Sequence, residues 1–389
     1  MTKFVLMHKD VECGILLIDE VTGRIINYKD IDTAYTPFLG NSSLDNMKKW
    51  WEMRAVPAGR DTIKELINSL TVVSPEQYLA KNLGLSVTDT YWIRPIELAI
   101  GYEDVNFFNL SSYNDGKIPY HNNTSYDPNA SLGGQMDKYW DLSGSNPKLI
   151  KKSYRHYGQQ SINEVVASKV HELQNSPFSF VNYSCERTDD GGMQCICDSF
   201  TSENIEFISA YEVVSSEKIK NDTAYYKAFI DICSKHGIDK DLISDFMDYQ
   251  TLTDFVISNT DEHLMNFGII RNANTLELVG PAPIFDSGNS MFYSDVTDRP
   301  FTRVELLQRK ITSFYQTEEK LLKNINNKDI VKSDILPAPE EIKEIYMRHS
   351  LPEERVDIII ENYKTKCQML KEFQHGKTLS LYHEKHKKQ

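Results

Sequence analysis

Residues 259–289 read N-T-D-E-H-L-M-N-F-G-I-I-R-N-A-N-T-L-E-L-V-G-P-A-P-I-F-D-S-G-N. Asp261, His263 and Asn266 lie within six residues, and a short apolar run follows them. Turn-forming asparagines come next, and a second apolar run then ends at Asp286. This pattern predicts a loop, a hairpin and a second loop. Such a fold would bring the oxygen-bearing side chains of Asp261, Asn266 and Asp286 to one point.

Two interpretations of this stretch compete. An Asp followed five residues later by an Asn, with a second Asp across a hairpin, is how phosphoryl-transfer sites position a hydroxyl and hold Mg²⁺. Hard cations prefer oxygen ligands, and Mg²⁺ takes one or two carboxylates together with substrate phosphates. Asn, Asp, Ser and Gly are, however, also the residues that dominate ordinary turns. The rest of the chain has to decide between the two.

The composition limits the class of protein. The 389 residues suffice for two or three structural units, and 40% apolar with 25% charged residues is typical of a globular protein. The net charge of −13 argues against direct nucleic-acid binding, which needs a basic surface. No apolar run approaches the roughly 18 residues of a membrane-spanning helix, and the start of the chain lacks a signal-peptide core. We therefore expect a cytoplasmic protein with no membrane contact, although secretion without a standard signal stays open.

The first part of the chain predicts a mixed α/β subdomain over residues 1–115. Apolar runs within residues 3–28 predict a hairpin. Either Ser42 or Ser43 is a candidate cap of the first helix that follows, and Ser74 is a candidate cap of a later one. A segment rich in Asn, Ser, Tyr and Gly comes next, and we predict a linker over 116–130.

Directly after that linker come features suited to phosphate binding. Gly133 and Gly134 would let the backbone approach a phosphate, although a plain β-turn is the more common reason for two adjacent glycines. A short strand with two lysines follows, and period-2 alternation allows only one of Lys151 and Lys152 to point inward. A helix carrying Glu164 comes next. A strand lysine paired with a helix glutamate steadies ATP phosphates in kinases, whereas the alternative is a pair of solvated surface charges.

The remaining chain predicts a second hairpin and then a helical part. Residues 178–183 and 193–197 read as strands, with Cys195 and Cys197 as buried small residues rather than metal ligands. Helices are expected from 216 onward, including one over 302–325, and the tail after 376 is predicted to fray.

These pieces, in this order, resemble the HipA-like serine/threonine kinases, a family that includes a bacterial toxin and a secreted kinase. The resemblance rests on S-x-x-G-x-x-x-K from Ser131, the strand lysine, N-E on the helix that follows, N-T-D-x-H-x-x-N-F and A-P-x-x-D. It implies an α+β, protein-kinase-like two-lobed fold, with a small antiparallel-sheet lobe at 131–203 and a helical lobe at 204–389. It also implies ATP and Mg²⁺ as cofactors.

The resemblance further implies a role for each matched residue. Asp261 would be the catalytic base, while Asn266 and Asp286 would hold Mg²⁺. Lys151 would contact the α- and β-phosphates, with Glu164 as its partner. The other matched positions are the loop over the phosphates (Gly133, Gly134), the nucleotide site (His263, Phe200) and a candidate autophosphorylation site (Ser131).

One position departs from the family. Glu262 stands where the family usually has Arg, which leaves open a nucleotide-binding pseudokinase that regulates without catalysing. A kinase of a non-protein substrate is a further alternative. Partners implied by the resemblance are a protein substrate and an antitoxin-like protein.

Overall fold

The computed structural model describes residues 1–69, 71–108, 125–134, 136–220, 223–295 and 297–386. Within them the chain is of mixed α/β class, with helices and antiparallel sheets. The first sheet has the strand order β3-β2-β1-β4. Its strands are β1 (Thr2–His8), β2 (Val11–Ile18), β3 (Ile25–Asp30) and β4 (Tyr91–Pro95). Val5 faces Ile15 across β1 and β2, which confirms the hairpin predicted within 3–28.

Helices α1 (Leu44–Arg54), α2 (Asp61–Asn68) and α3 (Pro75–Lys81) follow β3. The Ser43 and Ser74 hydroxyls accept the N–H groups of Asn46 and Gln77, so both serines cap their helices as predicted. Trp50 and Trp51 of α1 are buried in an apolar cluster that extends across the first sheet.

The second sheet has the order β5-β6-β8-β7. Its strands are β5 (Lys138–Asp141), β6 (Lys148–Ser153), β7 (Ser184–Arg187) and β8 (Met193–Asp198), and helix α4 (Gln159–Gln174) packs on β6 and β8. The strand predicted over 178–183 is wrong. The N–H of Val181 donates to the Ile284 carbonyl and the N–H of Ile284 to the Ser179 carbonyl, so this segment pairs with the residues before Asp286.

The third sheet contains β9 (Ile205–Ser209), β10 (Gly268–Asn272) and β11 (Leu278–Pro281), in the order β11-β10-β9. The hairpin of β10 and β11 joins the loop at Asp261 to the loop at Asp286, so the predicted loop–hairpin–loop is confirmed.

The described helices of the remaining chain contribute to the largest apolar cluster, which also contains Ile208 of β9 and Ile269 of β10. These helices are α5 (Ala210–Ser215), α6 (Tyr225–Lys235), α7 (Lys240–Ile257), α8 (Arg303–Gln308), α9 (Glu318–Leu322), α10 (Pro339–Arg348), α11 (Glu353–Gln374) and α12 (Leu381–Lys385). None of the helices described combines the length and apolar character that crossing a membrane requires.

Two helix predictions are wrong. The single helix expected over 302–325 is interrupted between α8 and α9, because Thr312 donates its N–H to the Thr260 carbonyl and Ile311 to that of Gln316. The tail does not fray directly after 376. Helix α12 docks there through Glu384, which accepts hydrogen bonds from Arg303.

The predicted linker lies mostly outside the described residues. Its described end packs into the N-terminal apolar cluster through Tyr126 and Ala130. A buried polar network also connects the first and third sheets, because Glu206 of β9 contacts His8 of β1 and Arg271 of β10.

Candidate active site

Lys151 lies on β6, an inner strand flanked by β5 and β8. Its side chain is 2% exposed, and its Nζ lies 2.7 Å from Glu164 Oε1. Glu164 is on α4, which begins one residue after Gly158. That glycine has a φ of +75°, and a Cβ there would lie 2.3 Å from Met193. The tight turn from β6 into α4 therefore requires glycine and brings the helix glutamate under the strand lysine.

Asp286 completes this buried cluster. Its Oδ1 lies 2.7 Å from Lys151 Nζ, and the backbone N–H of Ser287 donates to Glu164 Oε2 at 2.9 Å. Asp286 has a φ of +64°, a left-handed conformation that Asp tolerates better than most residues. One ammonium thus contacts two carboxylates, one from a helix and one from the loop after β11.

The electrostatics favour the charged forms of Lys151 and Asp286. Burial alone would lower the pKa of Lys151, but Asp286 and Glu164 raise it well above its ordinary value. Burial alone would raise the pKa of Asp286, but Lys151 and the half-buried Lys138 hold it well below its usual range. The site therefore holds an ionised carboxylate at neutral pH, which is what a cation ligand must be.

Lys152 faces the other side of the second sheet. Its Nζ lies 5.8 Å from the centre of the Tyr139 ring, while Lys151 Nζ lies 5.0 Å from that of the buried Tyr183. Of the two lysines left open by the sequence, Lys151 is the one that faces the carboxylates.

The loop carrying Asp261 follows α7, which ends at Ser258 in a left-handed conformation. Asn266 donates its Nδ2 to the Asp261 carbonyl at 2.8 Å and closes this loop on itself. Asn289 then donates its Nδ2 to Asp261 Oδ2 at 2.6 Å, and its carbonyl accepts from the Thr260 hydroxyl at 3.1 Å. Since Asn289 lies three residues after Asp286, it holds the two acidic loops together.

His263 and Asn266 lie in the same turn. The N–H of Asn266 donates to the His263 carbonyl at 2.8 Å. His263 is close enough to Asp286 to help lower the pKa of that carboxyl. The structure thus brings Asp261, His263 and Asn266 to the side of the molecule where Lys151 meets Asp286.

Glu262 makes its hydrogen bonds with residues outside this cluster. It is buried behind the loop, where it accepts hydrogen bonds from Asn259 and from Gln250 of α7. Burial and the nearby Asp254 raise the pKa of Glu262 well above its ordinary value. The residue that departs from the family's Arg therefore sits among structural contacts of α7.

Gly133, Gly134 and Ser131 lie in the segment before β5, which is called the glycine-bearing loop below. Gly133 is exposed, and Gly134 adopts a φ of +83° with the Lys138 side chain across it. The Ser131 hydroxyl lies 3.5 Å from the Pro128 carbonyl. Arg60, at the start of α2, donates to the carbonyls of both glycines.

Phe200 follows β8 and belongs to a half-buried aromatic trio. Its ring centre lies 5.4 Å from that of Phe285 and 5.7 Å from that of Phe207. Because Phe285 immediately precedes Asp286, this apolar surface borders the charged cluster. An aromatic surface beside a charged cluster suits a ligand with a flat apolar end and an anionic end.

The residues present fit a divalent cation of the Mg²⁺ type. Asn266 uses its Nδ2 on Asp261, so its amide oxygen is the atom left for a cation, and Asp286 adds a carboxylate. Within the described ranges no group of three His, Cys, Asp or Glu side chains is placed to hold a metal. A cation here would need oxygens from a bound phosphate, which is the usual coordination of Mg²⁺.

Three residues of this region were missed from the sequence. Asn289 was detectable, since it follows D-S-G directly. Lys138 closes the S-x-x-G-x-x-x-K motif, yet received no role of its own. Arg60 has no local sequence signal, because its contact with Gly133 joins residues 73 positions apart.

Comparison with known proteins gave one match among curated sequences. No protein-family model matches the chain. The serine/threonine-protein kinase CtkA of Helicobacter pylori is 27% identical over 192 residues, which is 46% of this chain and 57% of the relative. The match thus spans a little more than half the length of that relative.

Two solved structures are similar. HipA of Shewanella oneidensis, solved with HipB and operator DNA, matches with a TM-score of 0.54 at 13% identity, covering 95% of this chain and 97% of its own. The crystal structure of H. pylori CtkA gives a TM-score of 0.49 at 17% identity, covering 62% of this chain and 92% of its own. The likeness to HipA-like kinases expected from the motifs is confirmed by the homology to CtkA and by the HipA fold.

Proposed function

We propose that this chain, a homologue of the kinase CtkA with the fold of HipA, is an ATP- and Mg²⁺-dependent serine/threonine protein kinase. The observation that carries the proposal is the buried contact of Lys151 with both Glu164 and Asp286, each at 2.7 Å. A lone buried lysine would be costly, and a purely structural pair would need only one carboxylate. A lysine shared by a helix glutamate and a loop aspartate is the phosphate-anchoring arrangement of kinases.

The nucleotide would lie between two lobes, residues 131–203 and 204–389, with 1–115 as an additional subdomain. Lys151 would bind the α- and β-phosphates under the loop of Gly133 and Gly134, with His263 nearby. Phe200 would pack against the adenine, whose polar edge would meet the backbone after β8. The half-buried aromatic surface next to Asp286 supports this orientation.

Asp286 and Asn266 would hold Mg²⁺, which neutralises charge on the phosphates being transferred. Asp261 would accept the proton of a serine or threonine hydroxyl as its oxygen bonds to the γ-phosphorus and the bond to ADP breaks. Asn289 supports this role, since its 2.6 Å hydrogen bond fixes one carboxylate oxygen and leaves the other for the substrate. Positioning of this kind supplies most of the catalysis in phosphoryl transfer.

Purified protein with γ-labelled ATP and Mg²⁺ tests the proposal. We expect label on the protein itself or on a generic serine- and threonine-containing substrate, and at least 100-fold less with Asp261→Ala, since a positioned base contributes about 10²–10⁴-fold. Exposed Asp298→Ala, on the surface loop before α8, serves as the control and should retain labelling. Label that survives Asp261→Ala would refute the assignment of the base.

Other outcomes of that experiment separate the alternatives. Tight ATP binding without transfer to any acceptor would identify a pseudokinase, and transfer confined to metabolites would identify a non-protein substrate. The hydrogen bonds of Glu262 speak against a pseudokinase, because Gln250 and Asn259 occupy both of its carboxyl oxygens in structural contacts.

Autophosphorylation at Ser131 is the regulatory part of the proposal. Ser131 is half-buried at the start of the glycine-bearing loop, and among the described residues its hydroxyl makes a single long contact, 3.5 Å from the Pro128 carbonyl. An antitoxin-like partner is a further part, motivated by the complex in which S. oneidensis HipA was solved. The net charge of −13 makes direct DNA contact by this chain unfavourable, so any DNA contact would fall to that partner.

A further inference from the structure

Arg60 belongs to the N-terminal part of the chain, defined here as the residues before 108, and its side chain contacts the glycine-bearing loop. Its guanidinium is 5% exposed and donates to three backbone carbonyls of that loop. Nη2 lies 2.6 Å from the Gly133 oxygen and 3.0 Å from that of Gly134, and Nη1 lies 3.3 Å from the Lys138 oxygen. One side chain thus fixes both glycines and the first residue of β5.

Within the described residues, Arg60 forms no ion pair with a carboxylate. In the part of the chain that the structure describes, its hydrogen bonds go to carbonyl oxygens alone. Burial lowers the pKa of Arg60 to about 10, partly opposed by Asp137, so the group stays charged at neutral pH. A buried cation paired only with carbonyls leaves positive potential at the loop, which favours an anionic ligand.

The segment leading into the loop is also held by the N-terminal part. The N–H of Val56 donates to the Ala130 carbonyl at 3.0 Å, and the N–H of Asp127 donates to Asn82 Oδ1 at 2.7 Å. Ala130 is fully buried in the N-terminal apolar cluster. The loop is therefore carried by residues before 108 as much as by the sheet that follows it.

We propose that Arg60 is a positioning residue for the nucleotide and that the N-terminal part is an integral wall of the nucleotide site. Arg60 draws the Gly133 carbonyl toward itself. Because the peptide is trans and planar, the Gly134 N–H then points the other way, where a phosphate can accept it. By holding the Lys138 carbonyl, Arg60 also fixes the strand that brings the Lys138 ammonium near Asp286. This inference rests on the proposed kinase function.

Hydrogen exchange without nucleotide tests the loop contact directly. Arg60→Lys keeps the charge but cannot reach three carbonyls, so amides in 131–141 should exchange at least ten times faster than in the wild type. Arg54→Lys is the matched control, because Arg54 is equally buried yet bonds to Asp89 and to the carbonyls of Gly84 and Tyr91. Unchanged loop exchange in both Arg60→Lys and Arg60→Gln would overturn the contact's role.

ATP kinetics test the consequence. Arg60→Lys should raise the KM for ATP about tenfold, with kcat within about threefold and the KM for the protein substrate unchanged, while Arg54→Lys leaves all three within about twofold. ATP binding by the wild type with an unaltered KM in Arg60→Lys would overturn this inference alone. A wild type that binds no ATP would overturn the proposed function and the nucleotide role of Arg60 with it.

Discussion

At the scale of single residues, the candidate site is built around Lys151, whose ammonium contacts both Glu164 and Asp286. Its position on a strand could be predicted, but alternation alone could not choose between it and Lys152. The choice depends on which face of β6 meets α4, and Gly158 sets that by its left-handed turn. Asp261, Asn266 and Asp286 were predictable because the spacing of their motif is local, whereas Arg60 contacts its loop across 73 residues.

Lys151→Met should abolish nucleotide-dependent activity. The change leaves the buried Glu164 and the half-buried Asp286 without their cation, and the loss of the buried pair with Glu164 costs about 3–5 kcal/mol of stability. We expect kcat/KM for ATP to fall at least 100-fold and the unfolding midpoint in urea to drop. Lys152→Met is the neighbouring control, since Lys152 faces Tyr139, and both quantities should stay near wild type. Equal effects at both lysines would contradict the assignment.

Glu262→Gln should leave phosphoryl transfer within about threefold. Burial and Asp254 raise the pKa of Glu262 well above its ordinary value, so the folded state retains a proton that the unfolded state releases above about pH 4.3. The contribution of Glu262 to the free energy of unfolding is therefore fully present below that pH. It declines by about 1.4 kcal/mol per pH unit as the pH rises toward the pKa of the folded state. Because glutamine does not titrate, the Glu262→Gln variant should not show this decline.

Denaturant unfolding at pH 5 and pH 7 measures the effect of Glu262→Gln. The variant should lose less stability than the wild type between these two values. A strong loss of transfer with unchanged stability would instead give Glu262 a catalytic role.

At the scale of secondary-structure elements, two predictions fail because the segments form hydrogen bonds with residues distant in sequence. Residues 178–183 have the alternation of a strand, yet Val181 pairs with Ile284 and thereby fixes the approach to Asp286. The helix expected over 302–325 is interrupted between α8 and α9, where the N–H of Thr312 donates to the carbonyl of Thr260 in the loop of Asp261. Both contacts reach the loops that carry Asp261 and Asp286. Neither partner could be predicted from local sequence, because each lies at least 50 residues away.

Glu206→Gln should uncouple the first and third sheets. Burial alone would raise the pKa of Glu206, but the hydrogen bond with His8 and the charge of Arg271 hold it well below its usual range. The stability it contributes is therefore present above about pH 4.3, the unfolded value, and is lost as pH falls through the folded value. At pH 7 we expect the variant to be less stable by about 3–5 kcal/mol.

Urea unfolding at pH 7 and pH 4 checks this prediction. Glu277→Gln, on the exposed turn between β10 and β11, is the control and should change stability by less than about 0.5 kcal/mol. If Glu206→Gln were equally neutral at pH 7, the network would not connect the sheets.

At the scale of the whole molecule, the proposed nucleotide site includes the N-terminal part of the chain, the residues before 108, as one of its walls. The sequence predicted a subdomain ending near 115 and a linker over 116–130, and that boundary stays a prediction. The described end of the linker nevertheless packs through Tyr126 and Ala130 into the N-terminal cluster. Composition alone could not reveal this, since turn-rich segments are typical of linkers whether or not they dock.

Phosphoamino-acid analysis of γ-label transferred in the presence of Mg²⁺, by wild type and Asp261→Ala in parallel, tests the central claim most directly. The proposed function predicts label recovered as phosphoserine or phosphothreonine with the wild type, lost when Mg²⁺ is chelated and lost with Asp261→Ala. A wild type that binds ATP yet places no label on any serine or threonine hydroxyl, in itself or in a cell extract, would contradict it.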